Sequence, residues 1–269
     1  MKLYLAIIFA ISFIYASQVS AEGITEIQSR TSLRVCGDPS NLPFSNRLQQ
    51  GFENKIAKLL ADSLELPVNY FWFPQSMGFV RTTLRSRRCD VIIGFSAAHE
   101  LVLNTNPYYT SSFVIIHPSE ADYRVTSLTD KVIRERKLRI GVIAGTPPSG
   151  LLLEQGLMEQ VAPYHLYVDT RADSPGEQII KDMVAGKLDI AVLWGPIAGY
   201  FNKQYDSPFE IVSLAEYDSE AYPMVFSMTM GIRRGEAEWK KTLNTFIRRN
   251  QEEIDAILTE YGVPLVTAR

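Results

Sequence analysis

The chain is poor in the residues that build metal centres and redox motifs. Its 269 residues include two cysteines, Cys36 and Cys89, and three histidines, His99, His117 and His165. The histidines are scattered without ligand spacing, so no metal site and no cofactor is expected. Positive charge is not concentrated either. The formal net charge is −3, and basic residues cluster only as pairs such as Arg87-Arg88, Arg233-Arg234 and Arg248-Arg249. Nucleic acid is therefore not an expected partner, since phosphate binding needs a concentrated basic face. After the N-terminal segment no apolar run approaches the ~20 residues that span a bilayer. No nucleophile–base pair is legible, so an enzyme is not expected.

At the N-terminus, Met1 and Lys2 precede an apolar segment from Leu3 to about Tyr15, followed by Val19-Ser20-Ala21. This is the pattern of a signal peptide over 1–21, cleaved after Ala21. The run is short for a membrane anchor, and no cysteine follows the cleavage position to carry a lipid. The mature chain is expected to be soluble and exported. In an oxidising compartment Cys36 and Cys89 are expected to pair, closing a long loop and stabilising by ~3–4 kcal/mol. Against pairing stands a register offset. Cys36 is near the end of its strand and Cys89 at the start of a neighbouring one, which strains the Cα separation a disulfide tolerates.

Two stretches repeat one pattern. Leu33-Arg34-Val35-Cys36-Gly37-Asp38-Pro39 is followed later by Cys89-Asp90-Val91-Ile92-Ile93-Gly94. Leu138-Arg139-Ile140-Gly141-Val142 is followed by Leu188-Asp189-Ile190-Ala191-Val192-Leu193-Trp194-Gly195. Each is an apolar run, a helical stretch, then an apolar run opening on Asp and closing on Gly. Parallel strands covered on both faces read this way. Two such units predict two α/β lobes with a ligand-binding crevice between them.

Between these runs, Phe52, Ile56, Leu59, Leu60 and Leu64 recur at helical spacing before Pro67. Val68–Phe73, Phe113–Ile116, Tyr164–Val168 and Val225–Gly231 read as strands, and Phe79–Leu84 and Ile179–Val184 as helical faces. A last helix carries Trp239, Leu243, Phe246, Ile247, Ile254, Leu258 and Tyr261 on one stripe. The second unit is complete without it, so it is expected to return to the first. The lobes are then 22–118 plus 226–269, and 119–225. Crossings near 118–124 and 221–226 would form a two-stranded hinge.

This order of elements resembles the type II periplasmic solute-binding proteins. Gly51-Phe52-Glu53, Asp90-Val91-Ile92-Ile93-Gly94 and Asn106-Pro107-Tyr108-Tyr109 sit where that superfamily's first-lobe signatures fall. A narrower likeness rests on Cys36-Gly37-Asp38-Pro39, Asn41-Leu42-Pro43-Phe44-Ser45-Asn46, Arg88-Cys89-Asp90-Val91, Thr146-Pro147-Pro148 and Trp194-Gly195-Pro196. Together these are similar to the J proteins encoded beside quinoprotein methanol dehydrogenases in methylotrophs (MxaJ/XoxJ-type). The resemblance implies the periplasmic-binding-protein-like II fold, a periplasmic location, and a role supporting a PQQ-dependent methanol or alcohol dehydrogenase through protein contact, with the immature enzyme as partner. The alternative is a receptor delivering a small non-amino-acid solute to an ABC transporter. A third class, cleft-carboxylate dehydration using Glu100 or Asp38, is disfavoured.

Amino-acid-binding members resemble one another in setting an Arg before the Pro-Tyr pair, where its guanidinium grips the ligand carboxylate bidentately. Here that stretch is Ser96-Ala97-Ala98-His99-Glu100-Leu101-Val102-Leu103, without Arg, and a buried Glu100 would repel an anion. Free amino acids are therefore not expected ligands. Asp38 follows the first strand, where cleft ligands lie, though Asp before Pro is also a common turn residue. Phe44, Ser45 and Asn46 are expected on the first-lobe wall or in loop packing. Glu53 is a cleft candidate, or a first-turn acid complementing the helix dipole. Thr146 and Pro147 open the second-lobe helix, but prolines remove the N–H donors that would bind an anion there. Trp194 and Tyr200 would form an aromatic rim suited to a protein partner or a small apolar or organic ligand.

Overall fold

The computed structural model describes residues 30–267 except 98, 99, 167, 207 and 208. The expected signal peptide therefore lies outside the described residues. The strands are β1 (Leu33–Gly37), β2 (Ser40–Asn41), β3 (Ser45–Asn46), β4 (Val68–Trp72), β5 (Val91–Ser96), β6 (Leu103–Asn104), β7 (Tyr109–Pro118), β8 (Ile140–Ile143), β9 (Val161–Tyr164), β10 (Ile190–Trp194), β11 (Phe209–Ser213) and β12 (Val225–Ile232). The helices are α1 (Phe52–Ser63), α2 (Phe79–Thr82), α3 (Lys131–Glu135), α4 (Pro147–Glu154), α5 (Pro175–Val184), α6 (Gly195–Gln204), α7 (Ala237–Arg249) and α8 (Gln251–Glu260).

The main sheet runs β4-β1-β5-β12-β7-β10-β8-β9. Its two halves are built alike. In one, β1 lies parallel between β4 and β5, with β12 antiparallel beyond. In the other, β8 lies parallel between β9 and β10, with β7 antiparallel beyond. The repeated strand–helix–strand pattern is thus a structural duplication.

The duplication extends to side chains. Arg34 forks onto Asp90 at 2.8 and 2.6 Å and donates to the Arg87 carbonyl. Arg139 forks onto Asp189 at 2.8 Å and donates to the Gly186 carbonyl. In each lobe a guanidinium near the start of one strand ties down the turn leading into its parallel neighbour. Asp90 is the more buried of the two aspartates. Burial pushes its carboxyl up, but Arg34, Arg233 and Arg30 hold it below the usual carboxylate range.

The halves join where β7 pairs β12 antiparallel, from Tyr109↔Met228 to Ser112↔Val225. From Phe113 onward β7 pairs β10, and from Val114 it also pairs β11. The first passage between halves therefore lies inside this strand, upstream of the Pro118–Arg124 turn. A ten-residue, almost wholly buried strand serves both halves, so no polar linker is needed. Trp239, Leu243, Phe246 and Ile247 pack with Leu33, Val35, Phe52 and Ile56, so the C-terminal helices cover the first half.

Two local readings are corrected and one is borne out. The strand expected at Tyr164–Val168 is Val161–Tyr164, an edge strand, where Pro163 lacks no partner it would need. The single C-terminal helix is two, broken at Asn250, whose side chain donates to the Phe246 carbonyl at 2.8 Å and competes with the helical ladder. The expected disulfide is formed: Cys36 and Cys89 are bonded, Cα–Cα 5.3 Å. The register objection fails because Cys89 precedes β5, in an irregular turn that brings it back over β1.

Candidate functional site

The cleft lies at the C-terminal ends of β1, β4 and β5, facing the second half. Asp38 is the first residue after β1 and is buried. Its loop is held by Ser45, whose hydroxyl accepts from the Asp38 N–H and donates to its carbonyl, both at 3.0 Å. The Asp38 carboxylate accepts from the backbone N–H of Ser40 at 2.9 Å and of Gln75 at 2.5 Å. It also receives the Thr170 hydroxyl, 2.9 and 3.0 Å from its two oxygens. Thr170 follows β9, so this contact crosses the cleft. A carboxylate offers about four acceptor positions, and three donors within the protein occupy most of those of Asp38.

Deeper in the first half, Glu53 opens α1. Asn54 caps this helix, its side-chain oxygen accepting from the N–H groups of Gly51 and Asn46, each at 3.1 Å. Glu53 lies directly beneath Gly94 of β5, where a Cβ would come within 1.9 Å of Oε1. Only glycine allows the carboxyl to sit there. Burial, and secondarily the charge of Asp38, push the Glu53 carboxyl up to about 8. Tyr70, Tyr108 and Tyr109 share this environment, and each phenol is raised chiefly by burial with Glu53 contributing. The Tyr108 hydroxyl donates to the Ile93 carbonyl. The Tyr109 hydroxyl is buried without a hydrogen-bond partner among the described residues, while the Tyr70 hydroxyl and the Asn54 side chain face one another outside good hydrogen-bond geometry. Such orphaned groups are rare and costly.

The remaining sequence candidates take other roles. Phe44 is half-buried and packs edge-on against Phe52 at 5.4 Å. Asn46 exchanges side-chain contacts with Gln50 at 2.9 Å and reaches a depression of about 390 Å³ between the halves, also lined by Thr170, Tyr200 and Gln204. Thr146 precedes α4, but its hydroxyl turns back to the Ile143 carbonyl at 2.6 Å, with Pro147 opening the helix. Trp194 is half-buried in an aromatic trio with Phe113 at 5.3 Å and Phe226 at 5.7 Å, where β7, β10 and β12 converge. Glu100 is exposed beside Arg234, so the reading that it repels anions from within the cleft is corrected. The vacant Arg position carries that argument alone. Among the described residues no three His, Cys, Asp or Glu side chains are grouped so as to hold a metal ion.

A second contact between the halves was not legible beforehand. Tyr200 stacks on Tyr261 with centroids 6.0 Å apart. Beside them Gly199 of α6 meets Gly262, which follows α8, so closely that a Cβ at 199 would lie 1.9 Å from the Gly262 carbonyl oxygen. Lys203 donates to the Thr259 and Glu260 carbonyls at 3.0 and 3.1 Å. The tail then crosses β7, with Ser111 Oγ donating to the Pro264 carbonyl at 2.6 Å and Val266 N to the Thr110 carbonyl at 3.0 Å.

Two α/β halves in this strand order, joined through a shared pair of strands with a cleft between, define a periplasmic-binding-protein-like fold. The model of the bacterial extracellular solute-binding proteins, family 3, matches residues 33–264. The crystal structure of the periplasmic binding protein XoxJ from Methylobacterium extorquens AM1 superposes with a TM-score of 0.74 at 39% identity, covering 88% of this chain and 100% of that one. That of MxaJ from Methlophaga aminisulfidivorans MPT gives 0.76 at 26% identity, covering 87% and 100%. The protein MoxJ of Methylorubrum extorquens is 26% identical over 248 residues, 87% of this chain and 82% of that protein. The chain belongs to the family 3 solute-binding proteins and, within them, to the MxaJ/XoxJ type. No described helix is long and apolar enough to cross a membrane.

Proposed function

We propose that this protein is a periplasmic accessory protein that supports a PQQ-dependent methanol or alcohol dehydrogenase by direct contact, engaging the enzyme before it is fully assembled. The observation that carries this reading is the commitment of Asp38 to Thr170, Ser40 and Gln75. In a ligand-operated clamp, cleft groups close onto solute. Here a cleft carboxylate closes onto the opposite half itself, and the Gly199–Gly262 contact fastens the far side. A body held at both edges suits a rigid docking scaffold better than a hinged receptor. Kinship with proteins named MoxJ, MxaJ and XoxJ supplies the link to methanol oxidation. No catalytic role is assigned to any residue. The lobe division 22–118 plus 226–269 and 119–225 stays a proposal, with its first boundary better drawn within β7 than at residue 118, and 1–21 remains the proposed signal peptide. Deleting the gene in a methylotroph tests the reading through dehydrogenase activity.

A second reading, a receptor for a small non-amino-acid solute, draws on one observation. The Tyr109 hydroxyl near Glu53 is polar, buried and unpartnered among the described residues. A thermal-shift screen separates the readings, since ligand at a hundred times its Kd adds about 2.7 kcal/mol.

A further inference from the structure

The first half carries a cationic surface that the net charge of −3 conceals. Arg81, Arg85, Arg87 and Arg88 are all exposed on α2 and the turn that follows it, and Arg234 lies nearby. Arg88 stacks over Phe71 at 5.7 Å, and Arg234 donates to the Glu100 carbonyl. None of these guanidiniums forms an ion pair with a described carboxylate. By contrast, Arg124, Arg136, Arg139 and Arg171 of the second half each rest on one. The turn is rigid. Phe79, Val80 and Leu84 pack with the Cys36–Cys89 disulfide beneath it.

Apolar surface adjoins the charge. Met77 is 81% exposed and Leu101 48%. They help to line a depression of about 350 Å³ floored by Phe79, Val80 and Phe95. A second depression of about 460 Å³ is lined by Arg87, Arg233, Arg234 and one carboxylate, Glu100, and shares Arg85 and Leu101 with the first; Arg233 is already paired with Asp90 and Glu236, so Arg85, Arg87 and Arg234 carry its unpaired positive charge. The two adjoin along Arg85 and Leu101 and together make a groove that is more apolar at the Met77 end and more cationic at the Arg87 end. Apolar anchors beside arginines are the composition of protein interfaces, and guanidinium forks match carboxylates.

We propose that this groove docks an acidic, amphipathic segment of a partner protein, its apolar side chains against Met77 and Leu101 and its carboxylates on Arg81, Arg85 and Arg87. The proposal rests on the accessory reading for the existence of a protein partner and names that partner's chemistry. Concavity favours a peptide over a lipid surface, which meets a flat or convex cationic face.

The test uses the full mature protein and a fluorescein-labelled peptide alternating Glu or Asp with Leu or Phe, followed by anisotropy. Saturable binding is expected, weakening at least ~10-fold in Arg81→Glu/Arg85→Glu/Arg87→Glu and falling with salt. The corresponding Arg→Lys triple should retain most binding and report that the fold is intact. Absence of saturable binding, equal binding by the Glu triple, or a preference for phosphatidylglycerol vesicles over the peptide overturns the groove. The same variants are then measured against the purified dehydrogenase. Wild-type failure there overturns the accessory reading while the peptide result still decides the groove. Undiminished dehydrogenase binding by the Glu triple overturns the groove as the contact and leaves the accessory reading standing.

Discussion

Thr170 donates its hydroxyl to the carboxylate of Asp38 from the opposite wall of the cleft. The pair is separated by 132 residues and contains the only part of the carboxylate's shell that comes from the second half among the described residues. Removing that hydroxyl leaves Asp38 anchored to Ser40 and Gln75 and releases this edge of the cleft, while the Gly199–Gly262 edge stays in contact.

Thr170→Val should therefore loosen closure without unfolding the first half. A hydrogen bond to a charged group contributes about 1.5–3 kcal/mol, and partial exposure places this one at the low end. Distance measurements between spin labels on the two halves should broaden toward longer separations. An unchanged distribution would show that the bond does not hold the cleft.

Gly199→Val should be more severe, because its Cβ would collide with the Gly262 carbonyl. Backbone cannot yield as a flexible side chain does, and a cost of about 2–4 kcal/mol is expected. Thermal unfolding checks this, and a melting point equal to wild type would contradict the close approach.

Glu53 predicts a slope in stability against pH. Its native carboxyl titrates at about 8, against a reference of 4.5. Between these values the native state holds a proton that the unfolded chain has released, so stability falls as pH rises through about 5 to 8 and levels off above. Glu53→Gln should lack this slope and be more stable by about 2–4 kcal/mol at pH above 8. Denaturant titrations of both proteins at pH 5.5 and about 8.5 measure it. Parallel pH profiles would refute the raised titration.

Free α-amino acids should not bind, because the Ser96–Leu103 stretch holds no Arg and Asp38 is occupied. Calorimetry should detect no binding tighter than about 1 mM. Micromolar affinity for any common amino acid would contradict both statements.

Much of the fold was legible because it is periodic. Leu33-Arg34 with Asp90, and Leu138-Arg139 with Asp189, repeat in sequence and reappear as paired parallel strands carrying the same Arg–Asp fork. Local signals also marked α1 and β4. The site was less legible because its contacts are long-range. Nothing near Asp38 indicates Thr170, and nothing near Gly199 indicates Gly262, since each partner is set by how the halves meet. Trp194 read as a rim aromatic, whereas its ring is engaged with Phe113 and Phe226, and Phe44 takes the loop-packing alternative against Phe52. The arginine groove was visible only as the pairs Arg87-Arg88 and Arg233-Arg234, which folding brings to one surface.

The most direct measurement of the central claim is dye-linked methanol dehydrogenase activity in periplasmic extracts of a methylotroph lacking this gene. The account predicts that activity falls and returns when the intact gene is restored, with dehydrogenase polypeptide still present in the deletion strain. Full activity in the absence of the protein would contradict the accessory role and leave the solute-receptor reading in its place.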